Sequence, residues 1–261
     1  RPVRLALGIC YSGTAYQGWQ SQSTGLTIQD KLEKALAQFG DVPRVSTLCA
    51  GRTDAGVHGL MQVVHFDTPL ERETSSWVRG TNRYLPSDIA IQWARHVSSD
   101  FHARGSARSR RYAYVLLESP VRPSVEVGRV GWVFNPLDGE AMRQAASCLI
   151  GEHDFTSFRS SECQSKTPVK TMYSIEIFSN EPWLYFKIKG NAFLHHMVRN
   201  IAGVLMEIGS GRQAVDWTQY LLDAKDRKLA ARTAPPDIHG GAILLRTDPV
   251  ENLARAHSGH V

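Results

Sequence analysis

Two kinds of apolar spacing alternate along the chain, and this alternation restricts the fold more than any other feature of the sequence. From Val3 to Tyr11 every second residue is apolar, which is the pattern of a strand with one buried face. From Thr27 to Phe39 the apolar residues recur at helical spacing, and we expect Thr27 to cap this helix and Gly40 to end it. The chain therefore mixes strands with amphipathic helices.

The same alternation continues through both halves of the chain. Connections of hairpin length separate neighbouring strands, and such connections favour a largely antiparallel sheet over a parallel one. The sequence therefore predicts an α+β fold, with two similar halves around a central, mostly antiparallel sheet. The other predicted strands cover residues 45–50, 61–66, 89–97, 110–117, 172–178, 184–189 and 242–246, and the other predicted helices cover residues 74–85, 138–150, 194–208 and 217–230, the last capped by Asp216.

A stretch with two prolines is the best candidate for a boundary between the halves. It covers residues 117–127, and it divides the chain into an N-terminal half, residues 1–120, and a C-terminal half, residues 121–261. The polar segment 251–261 is expected to fray, because chain ends are poorly ordered unless packing or pairing holds them.

Composition excludes several classes of protein. The 261 residues are 42% hydrophobic and 21% charged, as in folded rather than disordered chains. No apolar run approaches the roughly 18 residues of a membrane span, and the first residues do not resemble a signal peptide. The cysteines, at positions 10, 49, 148 and 163, are too widely spaced for a disulfide framework or a zinc ribbon. We therefore expect a soluble protein of the reducing cytoplasm.

The positive charge is concentrated in the first half of the chain. The net charge is +5, with 16 Lys and Arg against 11 Asp and Glu in residues 1–130, and 14 of each in residues 131–261. Four arginines lead into Tyr112, and arginines beside aromatic residues suit phosphates and stacked bases, which indicates nucleic-acid binding. A solvated basic face on a strand is the alternative, and this run alone does not decide between them. The four arginines are Arg104, Arg108, Arg110 and Arg111.

Familiar phosphate and metal motifs are absent from the sequence. It contains no GxGxxG, no GxxxxGK(S/T) and no HExxH. His195 and His196 are neighbours on a predicted helix, where adjacent side chains point about 100° apart and cannot both face one metal ion. We therefore expect neither a metal nor a cofactor.

The segment from Cys49 to Gly59 carries an arginine, a carboxylate and a histidine among small residues, between two predicted strands. Small residues would let a bulky ligand approach the backbone, with Asp54 as the reactive group. Alternatively, the glycines serve turn geometry and Asp54 caps a nearby amide. Spacing alone favours the second interpretation.

The motif from Ala50 to His58, Ala-Gly-Arg-Thr-Asp-Ala-Gly-Val-His, resembles the catalytic motif of the tRNA pseudouridine synthase A (TruA) family, in which the aspartate is essential. Further family landmarks occur in the family's order, extend the resemblance over residues 3–248, and are similar to those of bacterial members. These landmarks are Tyr16–Gln20, Asp100–Arg104, Arg110–Tyr114, His153–Phe158, Asn191–Asn200 and Ala224–Arg227.

The resemblance implies conversion of uridine to pseudouridine at positions 38, 39 and 40 of the tRNA anticodon stem-loop. This reaction is an isomerisation that needs no redox cofactor, ATP or metal. The family also implies the pseudouridine synthase fold with a basic cleft, and a cytoplasmic homodimer in which one tRNA contacts both subunits. Two alternatives remain: a synthase of this family that acts on other tRNA uridines, and a catalytically idle tRNA-binding or chaperone protein. The intact set of Asp54, Tyr112 and Arg199 argues against the idle protein.

The same resemblance gives roles to individual residues. Asp54 would trap the sugar carbon, add to the base or remove a sugar proton, and the sequence does not choose among these. Arg199 is implied to form an ion pair that keeps Asp54 ionised, and Tyr112 to stack on a target base that has left its helix. His58 either holds the loop or contacts phosphate. The implied substrate-binding residues are Arg52, His58, Arg104, Arg108, Arg110, Arg111, Lys189, Phe193 and Leu244.

Overall fold

The structure, a computed structural model, describes residues 1–160, 165–230 and 242–249. Cys163 and the segment 251–261 that is expected to fray lie outside these residues. Within the described part of the chain, no helix has both the length and the apolar character needed to cross a membrane.

The chain forms two compact units. The first comprises Arg1–Ser109 together with the end of the last strand, from Leu244 onwards, and the second comprises Arg110–Ile243. The domain boundary at residue 120 stays a prediction, because a division by compactness does not test which segments fold on their own.

The first unit combines helices with an antiparallel sheet. Its elements are β1 (Val3–Tyr11), α1 (Ile28–Gly40), β2 (Leu48–Cys49), β3 (His58–Thr68), α2 (Thr74–Asn82), β4 (Ile89–Val97), the start of β5 (Ala107–Glu118) and the end of β10 (Ala242–Pro249). β1 lies between β4 and β3 and runs antiparallel to both. β3 also pairs with the short β2 and lies beside β10.

Alternation along β1 sends side chains of different size to the two faces of this sheet. Leu5, Leu7 and Ile9 point to the helical side. There they pack in one cluster with Leu32 of α1 and Trp77 of α2. Ala6, which points to the other face of the sheet, belongs to a second cluster of mostly small residues. Because most of these side chains are small, two loops can come close to this face. The members of this cluster are Ala6, Ala50, Val63, Phe101 and Ala103.

The second unit also combines helices with a mostly antiparallel sheet. Its elements are β5 from Arg110 onwards, β6 (Gly131–Val133), α3 (Gly139–Ser147), β7 (Gly151–Asp154), a single turn of 3₁₀ helix (Thr156–Phe158), β8 (Val169–Asn180), β9 (Trp183–Gly190), α4 (Met197–Gly209), α5 (Trp217–Ala224) and α6 (Arg227–Ala230). The strands follow the order β5, β9, β8, β7, each antiparallel to its neighbour, and β6 runs parallel to β5. Both units confirm the predicted α+β class with mostly antiparallel strands, and the basic cleft stays a prediction.

Several predicted elements have the expected ends. β1 and β4 match their predicted ranges. The Thr27 side chain accepts the backbone N–H of Asp30 at 3.1 Å, so Thr27 is the N-cap of α1 as predicted. The last residue of the helix is Gly40, as predicted, and Asp41 after it caps the last turn with a left-handed φ of 50°.

The prediction of a helix over residues 194–208 is wrong at its start. α4 begins at Met197, and His196 before it has a left-handed φ of 62°. His195 and His196 therefore precede the helix, where their rings stack with centroids 3.9 Å apart and planes 25° apart. The argument that helical geometry keeps these two rings apart is wrong for the same reason.

Four other predicted elements are shorter than expected or divided, among them the helix over residues 138–150, which is reduced to α3. The helix over residues 217–230 is two helices, because Lys225 adopts a left-handed φ of 48°, and Asp216 makes no side-chain capping bond to the described chain. α2 ends at Asn82, whose side-chain amide donates to the carbonyl of Ile91 at 2.9 Å and accepts its N–H at 2.8 Å. The strand over residues 45–50 is reduced to β2.

Candidate functional site

Asp54 lies in the connection between β2 and β3, residues 50–57, which we call the Asp54 loop. Antiparallel pairing brings β2 alongside β3, and Ala50 extends this pairing by donating its N–H to the carbonyl of Val63 at 2.9 Å. The loop then turns back at Gly56, which has a left-handed φ of 80°, and the N–H of Val57 donates to the carbonyl of Asp54 at 3.1 Å. This geometry leaves Asp54 half-buried at the tip of the loop.

The residues on each side of Asp54 are held by β1 and the segment after it. The buried hydroxyls of Tyr11 and Thr53 are 2.7 Å apart and share a hydrogen bond. Trp19 donates its backbone N–H to the carbonyl of Thr53 at 2.9 Å. Gly13 donates its N–H to Nδ1 of His58 at 3.0 Å. Asp54 therefore projects from backbone that is fixed both before and after it, an arrangement that orients a reactive group in advance.

Glycine is required where the segment after β1 approaches the Asp54 loop. Gly18 has a φ of 82°, and a Cβ on this residue would lie 2.9 Å from the carbonyl oxygen of Thr53 and 3.2 Å from the nitrogen of Ala55. A Cβ on Gly13 would lie 2.0 Å from the carbonyl oxygen of Val57. The two segments thus touch backbone to backbone, which no larger residue permits.

The other residues expected to bind substrate in the first unit differ in exposure. Arg52, Arg104 and Arg108 are exposed, so their guanidinium groups are accessible to a ligand. His58 is buried, and its Nδ1 is the acceptor for Gly13 described above, which gives it a loop-holding contact. Leu244 is buried on β10.

In the second unit, β5 divides its arginines between two faces. Arg110 and Tyr112 share one face and are both buried, whereas Arg111 points to the other face and is exposed. Nη1 of Arg110 donates to the carbonyl of Asn191 at 2.7 Å. Across the sheet, Arg111 is opposite Lys189, which is half-buried. The arginine run is therefore not one continuous basic face.

Tyr112 packs edge to face against Phe193. Their ring centroids are 5.2 Å apart and their planes meet at 84°. Because edge-to-face contact uses the rim of one ring and the face of the other, Phe193 restricts how the Tyr112 ring rotates. Among the residues implied by the resemblance, the second unit brings these two aromatic side chains into direct contact.

Arg199 lies in the first turn of α4 and is half-buried. Its Nε is buried and has no hydrogen-bond partner in the described part of the chain. Burial raises the pKa of the Tyr114 hydroxyl, and the positive charge of Arg199 partly opposes this rise. The Tyr114 hydroxyl therefore stays protonated, and the Nε of the nearby Arg199 can still donate a hydrogen bond.

The start of α4 is anchored to the segment that follows β7. Asn200 donates its side-chain N–H to the carbonyl of Phe158 at 2.8 Å. Ser160 binds His195 twice, with its hydroxyl 2.7 Å from Nδ1 and its N–H 3.0 Å from the His195 carbonyl. Arg199, between these two anchors, is thereby held in place. Four supporting residues were not identified from the sequence, namely Tyr11, Thr53, Ser160 and Asn200. Thr53 and Asn200 lie inside the family landmarks, whereas Tyr11 and Ser160 do not.

A family model described as tRNA pseudouridine synthase matches residues 9–104 and 145–239 of the chain. A tRNA pseudouridine synthase A from Polaromonas naphthalenivorans is 62% identical over 239 residues, which cover 90% of each chain. The protein of the same name from Paracidovorax citrulli is 60% identical over 253 residues, covering 90% of this chain and 91% of the relative. That from Methylibium petroleiphilum is 61% identical over 235 residues, covering 90% of each.

Among solved structures, the crystal structure of a Cbf5-Nop10-Gar1 complex is similar with a TM-score of 0.35 and 11% sequence identity. The similarity covers 77% of this chain and 45% of that one. This likeness is too weak to support an argument about fold or function.

The close approach of Gly18 to the Asp54 loop leads to a stability prediction. Gly18→Ala should lower the free energy of unfolding by about 2 kcal/mol more than Gly25→Ala, because its Cβ meets backbone atoms that cannot move aside. Gly25 is the matched control, since its φ of 70° carries a similar left-handed strain of about 1 kcal/mol but a Cβ there meets nothing within 4 Å. Urea unfolding measures both variants, and equal losses would contradict the backbone contact.

Proposed function

The chain belongs to the tRNA pseudouridine synthase family, and we propose that it forms pseudouridine at positions 38, 39 and 40 of the anticodon stem-loop with Asp54 as the essential catalytic residue. As a member of this family it is an isomerase that acts on tRNA. In the reaction, the bond between N1 and C1′ of uridine breaks, the uracil turns over, and C5 bonds to C1′. C5 loses a proton and N1 gains one, so substrate and product have the same composition.

The observation that supports this proposal most directly is the way the Asp54 loop is held. Thr53 and His58, on either side of Asp54, receive hydrogen bonds from β1 and the segment after it. A carboxylate on fixed backbone does not have to be ordered during the reaction, which lowers the entropic part of the barrier. A loop that served turn geometry alone would not need this support on both sides.

Asp54 has three possible roles, and each requires its ionised form. It can trap the electron-poor sugar carbon, add to the base, or remove a proton from the sugar. We propose that Arg199 provides the positive charge that favours ionisation, because a nearby cation stabilises a partly buried carboxylate. The buried Nε of Arg199, which has no hydrogen-bond partner in the described chain, is consistent with a side chain available for this role.

The substrate reaches Asp54 only after the target base has left its helix, which requires a surface to receive the base. We propose that Tyr112 stacks on this base, with Phe193 fixing the orientation of its ring. The exposed Arg52, Arg104 and Arg108 supply phosphate contacts.

The family also guides a proposal about assembly and location. We propose a cytoplasmic homodimer in which one tRNA contacts both subunits. Sedimentation equilibrium at micromolar concentration should give twice the chain mass of 29.0 kDa, and a mass of one chain would overturn the dimer.

Replacement of Asp54 by asparagine tests the catalytic assignment. Asp54→Asn keeps the shape of the side chain but removes its negative charge. The wild type should release tritium from tRNA labelled at C5 of uridine and place pseudouridine at positions 38, 39 and 40, as mapped by carbodiimide labelling and primer extension. Asp54→Asn should lower the rate by at least about 10³-fold, since no other group replaces the carboxylate.

The control for this experiment is Glu71→Gln, which removes an exposed carboxylate of the same unit and should leave the rate unchanged. Asp54→Asn should still bind tRNA with wild-type affinity. Residual turnover near the wild-type rate would remove Asp54 from the catalytic step. Pseudouridine at other tRNA positions would favour a different site specificity, and no pseudouridine from the wild type would favour a non-catalytic tRNA-binding protein.

Replacement of Arg199 tests whether it keeps Asp54 ionised. Loss of a nearby cation makes a carboxylate harder to ionise, so Arg199→Ala should move the acid limb of the kcat profile to higher pH and lower kcat by about 10²-fold. Arg199→Lys should restore part of the activity because it restores the charge. Arg212→Ala, an exposed arginine just beyond the end of α4, is the control. An acid limb that stays in place in Arg199→Ala would refute this role.

A further inference from the structure

The turn before β5, residues 98–106, presents Arg104 to solvent, and we call it the Arg104 turn. Phe101 and Ala103 are buried and belong to the cluster of mostly small residues on the sheet. His102 and Arg104, which alternate with them, are exposed. Phe101 and Ala103 thus fix the turn to the sheet, whereas His102 and Arg104 point outwards.

His65 of β3 holds the middle of this turn. Its Nδ1 accepts the backbone N–H of Ala103 at 3.0 Å, and the side chain is buried. The ring also packs edge to face against Phe101 and His102, with centroid distances of 6.2 Å and 4.8 Å. One imidazole therefore fixes the turn both by a hydrogen bond and by ring contacts.

His102 holds the outer part of the turn. Its Nδ1 accepts the backbone N–H of Arg104 at 3.2 Å and that of Gly105 at 3.1 Å. The backbone of His102 is bonded to Ser106 in both directions, through the Ser106 hydroxyl at 3.1 Å and the Ser106 N–H at 2.7 Å. Without this acceptor, two adjacent amides of the turn lose their side-chain partner.

Arg4 of β1 fixes the start of the turn. Its Nη1 donates to the carbonyls of Ser99 at 3.0 Å and of Phe101 at 2.7 Å. Asp67 of β3 orients the guanidinium through two bonds, of 2.8 Å and 3.0 Å. The conformation of the Arg104 backbone is therefore set by side chains of β1 and β3 as well as by the turn itself.

We propose that His65 and His102 are positioning residues for tRNA binding, whose unprotonated Nδ1 atoms fix the backbone that presents Arg104 to the phosphates. This inference rests on the proposed function, which makes tRNA the substrate. Neither histidine contacts RNA in this role, and both act through Arg104. A guanidinium on ordered backbone loses less entropy when it binds phosphate, so the turn raises affinity without adding a contact.

Both acceptors work only while Nδ1 carries no proton. Burial, followed by the charges of Arg4 and His102, lowers the pKa of His65 to about 4, although Asp67 opposes this shift. His65 therefore remains an acceptor at pH 7.5. The other charged groups around the pair are Asp100, which interacts with Arg4, and Arg104 itself.

A double-mutant comparison tests whether His102 acts through Arg104. The probe is a tRNA transcript with cytidine at positions 38 to 40, so that binding is measured by filter retention without turnover. At pH 7.5, His102→Ala should weaken binding about fivefold, as expected for loss of a side-chain acceptor for backbone amides. Arg104→Ala should weaken it at least as much, and the double variant no further than Arg104→Ala alone.

The conservative variant His102→Asn separates the acceptor from the imidazole. Asparagine offers an uncharged oxygen near the position of Nδ1 and cannot be protonated there, so binding at pH 7.5 should stay within about twofold of wild type. His96→Ala removes another exposed histidine of the same unit and should change nothing.

Two results would each overturn the proposal. They are additive losses in the double variant, and a His102→Asn protein that binds as weakly as His102→Ala. Wild-type affinity in Arg104→Ala would also overturn it, yet would leave pseudouridine formation by the wild type untouched. Conversely, a wild type that forms no pseudouridine but shows the expected binding pattern refutes the proposed function alone.

Discussion

The antiparallel pairing of β1 with β3 is the constraint on which the first unit depends. The register places Leu5 opposite Phe66 and Ala6 opposite His65, and paired residues of antiparallel strands share a face. One face is therefore built from large side chains that pack against helices, and the cluster on the other face consists mostly of small residues. A shift of one residue would exchange the two faces and bury His65 among the helices.

The face with small residues is where the backbone of other segments can come close to the sheet. Ala50 at the start of the Asp54 loop and Ala103 in the Arg104 turn both belong to its cluster. The Asp54 loop is held at Thr53, whose hydroxyl shares a hydrogen bond with Tyr11 and whose carbonyl accepts the N–H of Trp19, and the turn is held by His65, which accepts the N–H of Ala103. Asp54 and Arg104 thus project from segments that are fixed to the sheet, which reduces the entropy lost when a ligand binds.

The sequence predicted the parts of this structure that depend on local pattern. Strict alternation predicted β1, and Thr27 before an apolar stripe predicted the cap of α1, because both signals lie within a few residues. The left-handed conformations of His196 and Lys225 were not predicted, since non-glycine residues adopt them only where surrounding contacts compensate the strain. Just before His196, the backbone and ring of His195 are bound by Ser160, which lies 35 residues earlier in the chain and which no local pattern reveals.

Local sequence pattern was also insufficient to assign a role to Asp54. Spacing favoured a purely structural interpretation, and the structure contains the expected turn at Gly56. Only the family motif leads from this turn to the proposed catalytic role of Asp54. The supporting contacts of Tyr11 and Gly13 come from another strand and its following loop, and such long-range contacts cannot be read from spacing.

Three histidines of the first unit have the same structural role, which is to accept hydrogen bonds from backbone amides. His58, His65 and His102 each accept backbone N–H groups through Nδ1, so each is needed in its neutral form. Aspartate is the commoner acceptor in such turns, but its negative charge would repel phosphates at the proposed tRNA-binding surface. Neutral imidazole satisfies the same amides without that repulsion. In the proposed tRNA complex, arginines therefore provide the attraction, and histidines shape the backbone that carries Arg104 without opposing it.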